Sequence, residues 1–154
     1  MSKNDTAERE IIITRIFNAP RDLVFQAFTD PKHVDHWYGP RGFSTKTSDM
    51  DVRPGGKWNF VMRHDQYGVF KNRIVYREVK RPSRLEYTHD SGVDGDPSAF
   101  EVTVTFEEMS GKTKVTMHSV FPSAAELERV KGFGAVEGGK QTLERLAEWL
   151  AELE

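Results

Sequence analysis

The chain has 154 residues, no cysteine, and 22 basic against 24 acidic side chains, for a net charge of −2. A chain of that length forms one domain with a core that needs no covalent staple. The missing thiols exclude a disulfide framework and thiolate chemistry, and the even charge balance lacks the basic excess of a nucleic-acid surface. No apolar run reaches the roughly 20 residues of a membrane span, and Met1 to Glu10 is too polar for a signal peptide. The expectation is a cytoplasmic protein with a loose tail over residues 1–9 and one domain over 10–154.

Ile11 to Phe17 is rich in β-branched and aromatic residues and reads as a strand. Pro20 opens a helix on which Leu23, Val24, Ala27 and Phe28 recur at helical spacing, and Asp30-Pro31 ends it. A second short helix covers about Pro31 to Trp37, followed by a turn at Tyr38-Gly39-Pro40-Arg41-Gly42. From Phe43 the period becomes two. Phe43 to Val52 is a polar strand near an edge, and Pro54-Gly55-Gly56 is a tight turn or bulge. Trp58, Phe60 and Met62 then alternate with Lys57, Asn59 and Arg63. After a hairpin around His64 to Gly68, Phe70, Asn72, Ile74 and Tyr76 share one face of the next strand. Leu85, Tyr87 and His89 share a face of the strand that follows, before a loop from Asp90 to Pro97. Phe100, Val102, Val104 and Phe106 alternate again, and Val115, Met117, Ser119 and Phe121 form the matching face of the last strand. Short turns between successive strands imply an antiparallel meander.

The last stretch, from Ser123, is helical. Ser123 and Glu126 form a capping box, and Leu143, Leu146, Leu150 and Leu153, with Trp149 beside them, make one apolar stripe. Gly132, Gly134, Gly138 and Gly139 interrupt it, and together they disfavour helix by about 3–4 kcal/mol. Either the helix breaks near Gly132–Gly134 and restarts, or it runs through, with Gly132 and Gly139 continuing the stripe that Val136, Leu143 and Leu146 define. A glycine on a buried stripe leaves space, which is either filled by large aromatics or open to a ligand. This helix is the only element long enough to cover the meander. The expected fold is therefore α+β: a curved antiparallel sheet of about six to seven strands wrapped around a long C-terminal helix, with two short helices after the first strand.

Four segments carry a family resemblance. They are Phe17-Asn18-Ala19-Pro20-Arg21-Asp22-Leu23-Val24-Phe25, Thr29-Asp30-Pro31 with His36-Trp37-Tyr38-Gly39-Pro40, Asp51-Val52-Arg53-Pro54-Gly55-Gly56-Lys57-Trp58, and Val104-Thr105-Phe106-Glu107 with Gly111-Lys112-Thr113. Together they resemble the helix-grip fold of the START-like (SRPBCC) superfamily, in the branch named for the activator of the Hsp90 ATPase. The similarity spans about Glu10 to Leu150. It implies a protein that binds a hydrophobic ligand, assists a chaperone, or performs cyclase-, dehydratase- or hydrolase-like chemistry on an apolar substrate. Fold alone does not choose among these.

The leading expectation is a small hydrophobic ligand held between sheet and helix. If the alternation is read correctly, Trp58, Phe60, Met62, Phe70, Ile74, Tyr76 and Tyr87 point inward with Val102, Val104 and Met117. Asn72 and Ser119 join the two tyrosines as polar groups, and the helix contributes Gly132, Val136, Gly139 and Leu143. The competing reading is an ordinary packed core. Asp51 and Arg53 flank a strand end on one face, so they are either a ligand-carboxylate anchor or a structural ion pair. His33 and His36 lie three apart but have no sequence-near third ligand, so neither a metal nor another cofactor is expected. No acid–base constellation is readable, and no catalytic residue is assigned. Gly134 to Gln141 misses a phosphate loop by its last residue and has no feeding strand. Partner expectations are a small hydrophobic molecule, a chaperone through the branch resemblance, and a two-copy assembly through Trp37, Tyr38 and Phe133. No nucleic acid and no membrane span are expected.

Overall fold

The computed structural model describes residues 7–153. The first six residues of the expected tail lie outside them. Ala7–Arg9 is a single 3-10 turn, held to the sheet where Arg9 Nη1 donates to the carbonyl of Phe121 at 2.7 Å.

Strand β1 (Glu10–Phe17) leads into α1 (Arg21–Thr29), with Pro20 at φ −68° presetting the helical entrance. Asp30 ends α1 and caps α2 (Pro31–Trp37), accepting from the Lys32 amide at 2.9 Å. Six strands follow: β2 (Phe43–Met50), β3 (Lys57–His64), β4 (Gly68–Lys80), β5 (Arg84–Asp90), β6 (Phe100–Met109) and β7 (Lys112–Val120). They form one seven-stranded sheet in the order β1-β7-β6-β5-β4-β3-β2, and every neighbouring pair is antiparallel. The polar strand β2 is one edge, as its composition predicts, and β1 is the other.

The Pro54-Gly55-Gly56 turn reaches across to β4. Gly55 N donates to the carbonyl of Tyr76 at 2.8 Å, and Tyr76 N donates to the carbonyl of Gly56 at 3.0 Å. A side chain cannot enter here, because a Cβ on Gly56 would sit 2.0 Å from the carbonyl oxygen of Asp51. Asp35 on α2 accepts from both the amide and the hydroxyl of Thr47, and that hydroxyl accepts from Trp58 Nε1 at 3.0 Å. These contacts dock α2 on the β2 end of the sheet.

Of the two helix readings, the structure takes the break. Helix α3 (Ala124–Gly132) stops at Phe133, Gly134 adopts φ 84°, and α4 (Ala135–Glu152) restarts. Only a residue without a Cβ enters that left-handed region at no steric cost. Helix α4 buries Thr142, Leu143, Leu146 and Leu150 and rests on β1 at one side and α2 at the other. Arg145 donates to the carbonyls of Gly39, Pro40 and Phe43 at 2.9–3.2 Å. Trp149 stacks on His36 with centroids 4.1 Å apart and donates from Nε1 to His33 Nδ1 at 2.9 Å.

Two glycine readings need correction. Gly132 is exposed with nothing within 4 Å of an added Cβ, so it is not on the buried stripe. At Gly139 the added Cβ would lie 2.4 Å from Cδ1 of Ile13, so that space is filled by β1. Trp37 is also not a surface marker. It is fully buried, and its indole donates to the carbonyl of Ala27 at 3.0 Å. Phe133, by contrast, is 80% exposed.

Candidate functional site

The inward faces of the central strands form a floor of rings. Trp58 and Phe60 stack at 4.1 Å, Phe60 lies 5.9 Å from His89, His89 lies 4.9 Å from Phe100, and Phe100 stacks on Phe121 at 4.8 Å. Register explains the row. On β4 Ile74 faces His89, and on β6 Phe100 faces it from the other side. The next row across the sheet is Tyr76, Tyr87, Val102 and Ser119. Trp58, Phe60, Ile74, Tyr76, Tyr87, Val102 and Val104 are all buried, with Leu143 opposite on α4; Met62, Asn72, Met117, Ser119, Val136 and Gly139 are half-buried.

Three phenols stand in this apolar surround. Tyr76 and Tyr87 meet edge to face at 6.0 Å, and Tyr38, from the turn after α2, packs edge-on against Trp58 and Phe60. Burial pushes all three hydroxyls above the ordinary tyrosine value, so they remain neutral. No described residue hydrogen-bonds to any of them. Every closed-off side-chain polar atom among the described residues does have a partner. The three hydroxyls are therefore not fully closed off.

The open end of the floor is a cleft of about 310 Å³ between the ends of β4 and β5 and helix α3. His89 and Asn72 lie in its wall. His89 Nε2 is 2.9 Å from Asn72 Oδ1. Asn72 Nδ2 donates to the carbonyl of Phe70 at 3.2 Å, which orients the amide with its oxygen toward the ring. Nε2 thus carries the proton and Nδ1 holds a lone pair. Burial pulls the imidazole down to about 4, against the opposing pull of Asp90. The carboxylates around the cleft have partners of their own. Asp90 pairs with Arg73 at 2.9 Å, and Glu126 pairs with Arg129. Asp96 accepts from the amides of Ser91 and Ser98 and from the Ser91 hydroxyl, which holds it below the usual carboxylate range.

Two expected residues fall elsewhere. Phe70 is 45% exposed and belongs to the rim of the cleft, not to the floor. Asp51 and Arg53 pair at 2.7 Å on an exposed turn, away from the floor, so the ion-pair reading describes their geometry.

The family model of the "Activator of Hsp90 ATPase homolog 1-like protein" matches residues 18–151. The chain belongs to this family. No curated protein matches the sequence. Among solved structures, protein CV1439 from Chromobacterium violaceum is 26% identical at a TM-score of 0.78, covering 91% of this chain and 95% of that one. A Staphylococcus epidermidis protein is 27% identical at a TM-score of 0.82, covering 95% and 92%. Protein Ms6760 from Mycobacterium smegmatis, at 23% identity, shares the fold at a TM-score of 0.87 over 99% and 97%. Family membership accounts for the helix-grip architecture and leaves the occupant of this member open.

Sequence reasoning about this family member missed Tyr38 and His89 as lining groups. The alternation places His89 inward beside Tyr87, but its partner Asn72 is 17 residues away on another strand. Tyr38 follows a helix, where no alternation reports on its direction. The described residues contain no helix long and apolar enough to cross a membrane.

Proposed function

We propose that the protein holds a small, largely apolar molecule between the concave face of its sheet and α4, with no covalent step. The observation that supports this is a trio of tyrosine hydroxyls left without a protein partner beside the core. Tyr38, Tyr76 and Tyr87 sit among rings and aliphatic side chains without a protein partner. A hydroxyl sealed into a packed core without a partner costs about 1–3 kcal/mol, so these three keep access to water or to a ligand group that can pair with them. An apolar lining with a few convergent polar groups is the usual form of a small-molecule site. Family membership agrees with it, since the helix-grip fold is compatible with ligand binding.

Native mass spectrometry of gently purified protein tests the reading, with the same sample run after denaturation. Added mass that disappears on denaturation supports it. A bare chain that also takes up none of a panel of flat apolar probes overturns it. The family's name carries a second reading, stimulation of a chaperone ATPase. That reading is tested separately by adding saturating protein to the host chaperone, where unchanged turnover removes it.

A further inference from the structure

The cleft under α3 contains one group that the fold has prepared and left unused. Nε2 of His89 is spent on Asn72, and Asn72 is itself held by the Phe70 carbonyl. The ring lies between Phe60 and Phe100, and turning it over would put Cε1 in place of Nε2 and break the bond to Asn72. Nδ1 has no hydrogen-bond partner among the described residues, and it is not closed off, since no closed-off polar atom lacks one. It is therefore a fixed acceptor, in an aromatic wall, open to the cleft.

We propose that this cleft reads its ligand through Nδ1 of His89, and that the ligand is a neutral molecule presenting an O–H or N–H donor from a flat apolar body. The proposal deepens the ligand-holding reading above and rests on it.

Three physical arguments carry it. First, the acceptor sits beside the Phe100 ring, with Phe70 on the rim of the same cleft, so the group that brings the donor lies against aromatic side chains and is itself flat and apolar. Second, a carboxylate cannot serve. Its oxygens would face the lone pair with no proton between them. The guanidinium of Arg73 is occupied by Asp90 and Asp94, and that of Arg129 by Glu126. Lys71, the remaining cation of the lining, alternates with Asn72 and so stands on the other face of β4. Third, the imidazole acts as a hydrogen-bond acceptor and not as a general base. Its conjugate acid is too strong for proton abstraction near neutral pH to be efficient.

The test uses the full chain at pH 7.5 and three probes of one shape: naphthalene, 2-naphthol and 2-naphthoate. Binding is read by amide NMR titration of the wild type and of His89→Phe, which keeps a ring and removes the acceptor. The expected result is that wild type prefers 2-naphthol to naphthalene by about five- to tenfold, the scale of one net hydrogen bond, and binds 2-naphthoate weakest. His89→Phe should lose the preference and retain naphthalene. Imidazole ¹⁵N spectra of the wild type give a readout that does not depend on the variant folding. Nδ1 should shift toward its hydrogen-bonded position with 2-naphthol and stay in place with naphthalene. Equal binding of all three probes, preference for 2-naphthoate, or an unmoved Nδ1 resonance overturns this proposal while leaving the ligand-holding reading intact. Failure of wild type to bind any probe at millimolar concentration removes both.

Discussion

Gly139 of α4 lies against Ile13 of β1 so closely that an added Cβ would be 2.4 Å from the Ile13 Cδ1. This is the contact that seats the C-terminal helix on the edge of the sheet. The clashing atom is the end of a flexible side chain, so Gly139→Ala should be close to neutral, the gain of about 0.8–1 kcal/mol in helix propensity offsetting the displaced isoleucine. Gly139→Leu should lose about 1–3 kcal/mol through overpacking. Gly138→Ala meets only Pro40 at 3.6 Å and should gain up to about 1 kcal/mol. Urea denaturation of the three variants checks the order.

Gly56 is a different case. Its Cβ would meet backbone, the Asp51 carbonyl at 2.0 Å, and the turn cannot yield without releasing its two hydrogen bonds to Tyr76. Gly56→Ala is expected to cost more than about 3 kcal/mol, the sum of strain and two broken bonds. Loss of the near-UV dichroism of Trp58, or recovery of only insoluble protein, would agree. A soluble variant with unchanged melting would not.

Acid should destabilise the fold through His89. Its folded value, about 4, lies below the ordinary 6.5, so the folded state resists protonation and the unfolded chain does not. The contribution is complete above pH 6.5 and is lost as pH falls through 4, up to about 3 kcal/mol at 1.36 kcal/mol for each pH unit. Asp96, Glu86 and Glu126 are held low by their own partners and add their losses only at more acid pH. Unfolding free energies measured from pH 7.5 to 4 should slope in the wild type and flatten in His89→Phe.

Arg145 collects three carbonyls of the turn between α2 and β2. Nη1 makes all three contacts while Nη2 reaches the carbonyl of His36 at 3.4 Å, and a lysine, with one nitrogen on its stem, cannot hold both positions. Arg145→Lys should lose about 1 kcal/mol and Arg145→Met about 2–3 kcal/mol, with hydrogen exchange rising first in residues 39–43.

Most of the fold was legible because its signals are local. Alternation marks Trp58, Phe60 and Ile74 as inward, and the structure buries each below 4%. Pro20 and Ser123 mark helix entrances that the structure uses. Other features depend on what lies across the fold. Four glycines announce a disturbed helix, but only Gly134 takes the left-handed conformation that divides it. The space at Gly139 stays undecided from sequence, filled by aromatics or open, because nothing in its neighbourhood along the chain reveals Ile13. The site was half legible. The tyrosines follow from the period of two, whereas joining Asn72 to His89 requires the β4–β5 register, which shifts between Tyr76 and Glu78. Phe70 keeps the same period yet passes beyond the part of the sheet that the helices cover, so alternation alone overstates its burial.

The pairing of β1 with β7 joins segments far apart in sequence. All the other strand pairs are formed between consecutive segments, whereas Glu10 meets Val120 and Ile13 meets Met117 across more than a hundred residues. Closing so long a loop is entropically slow compared with folding a hairpin. Since β1 is also the ledge on which α4 rests, the last helix has its full support only once the first strand has docked. Damage to β1 is thus felt in α4. A deletion that removes β1 would strip amide protection from α4, although more than a hundred residues separate the two.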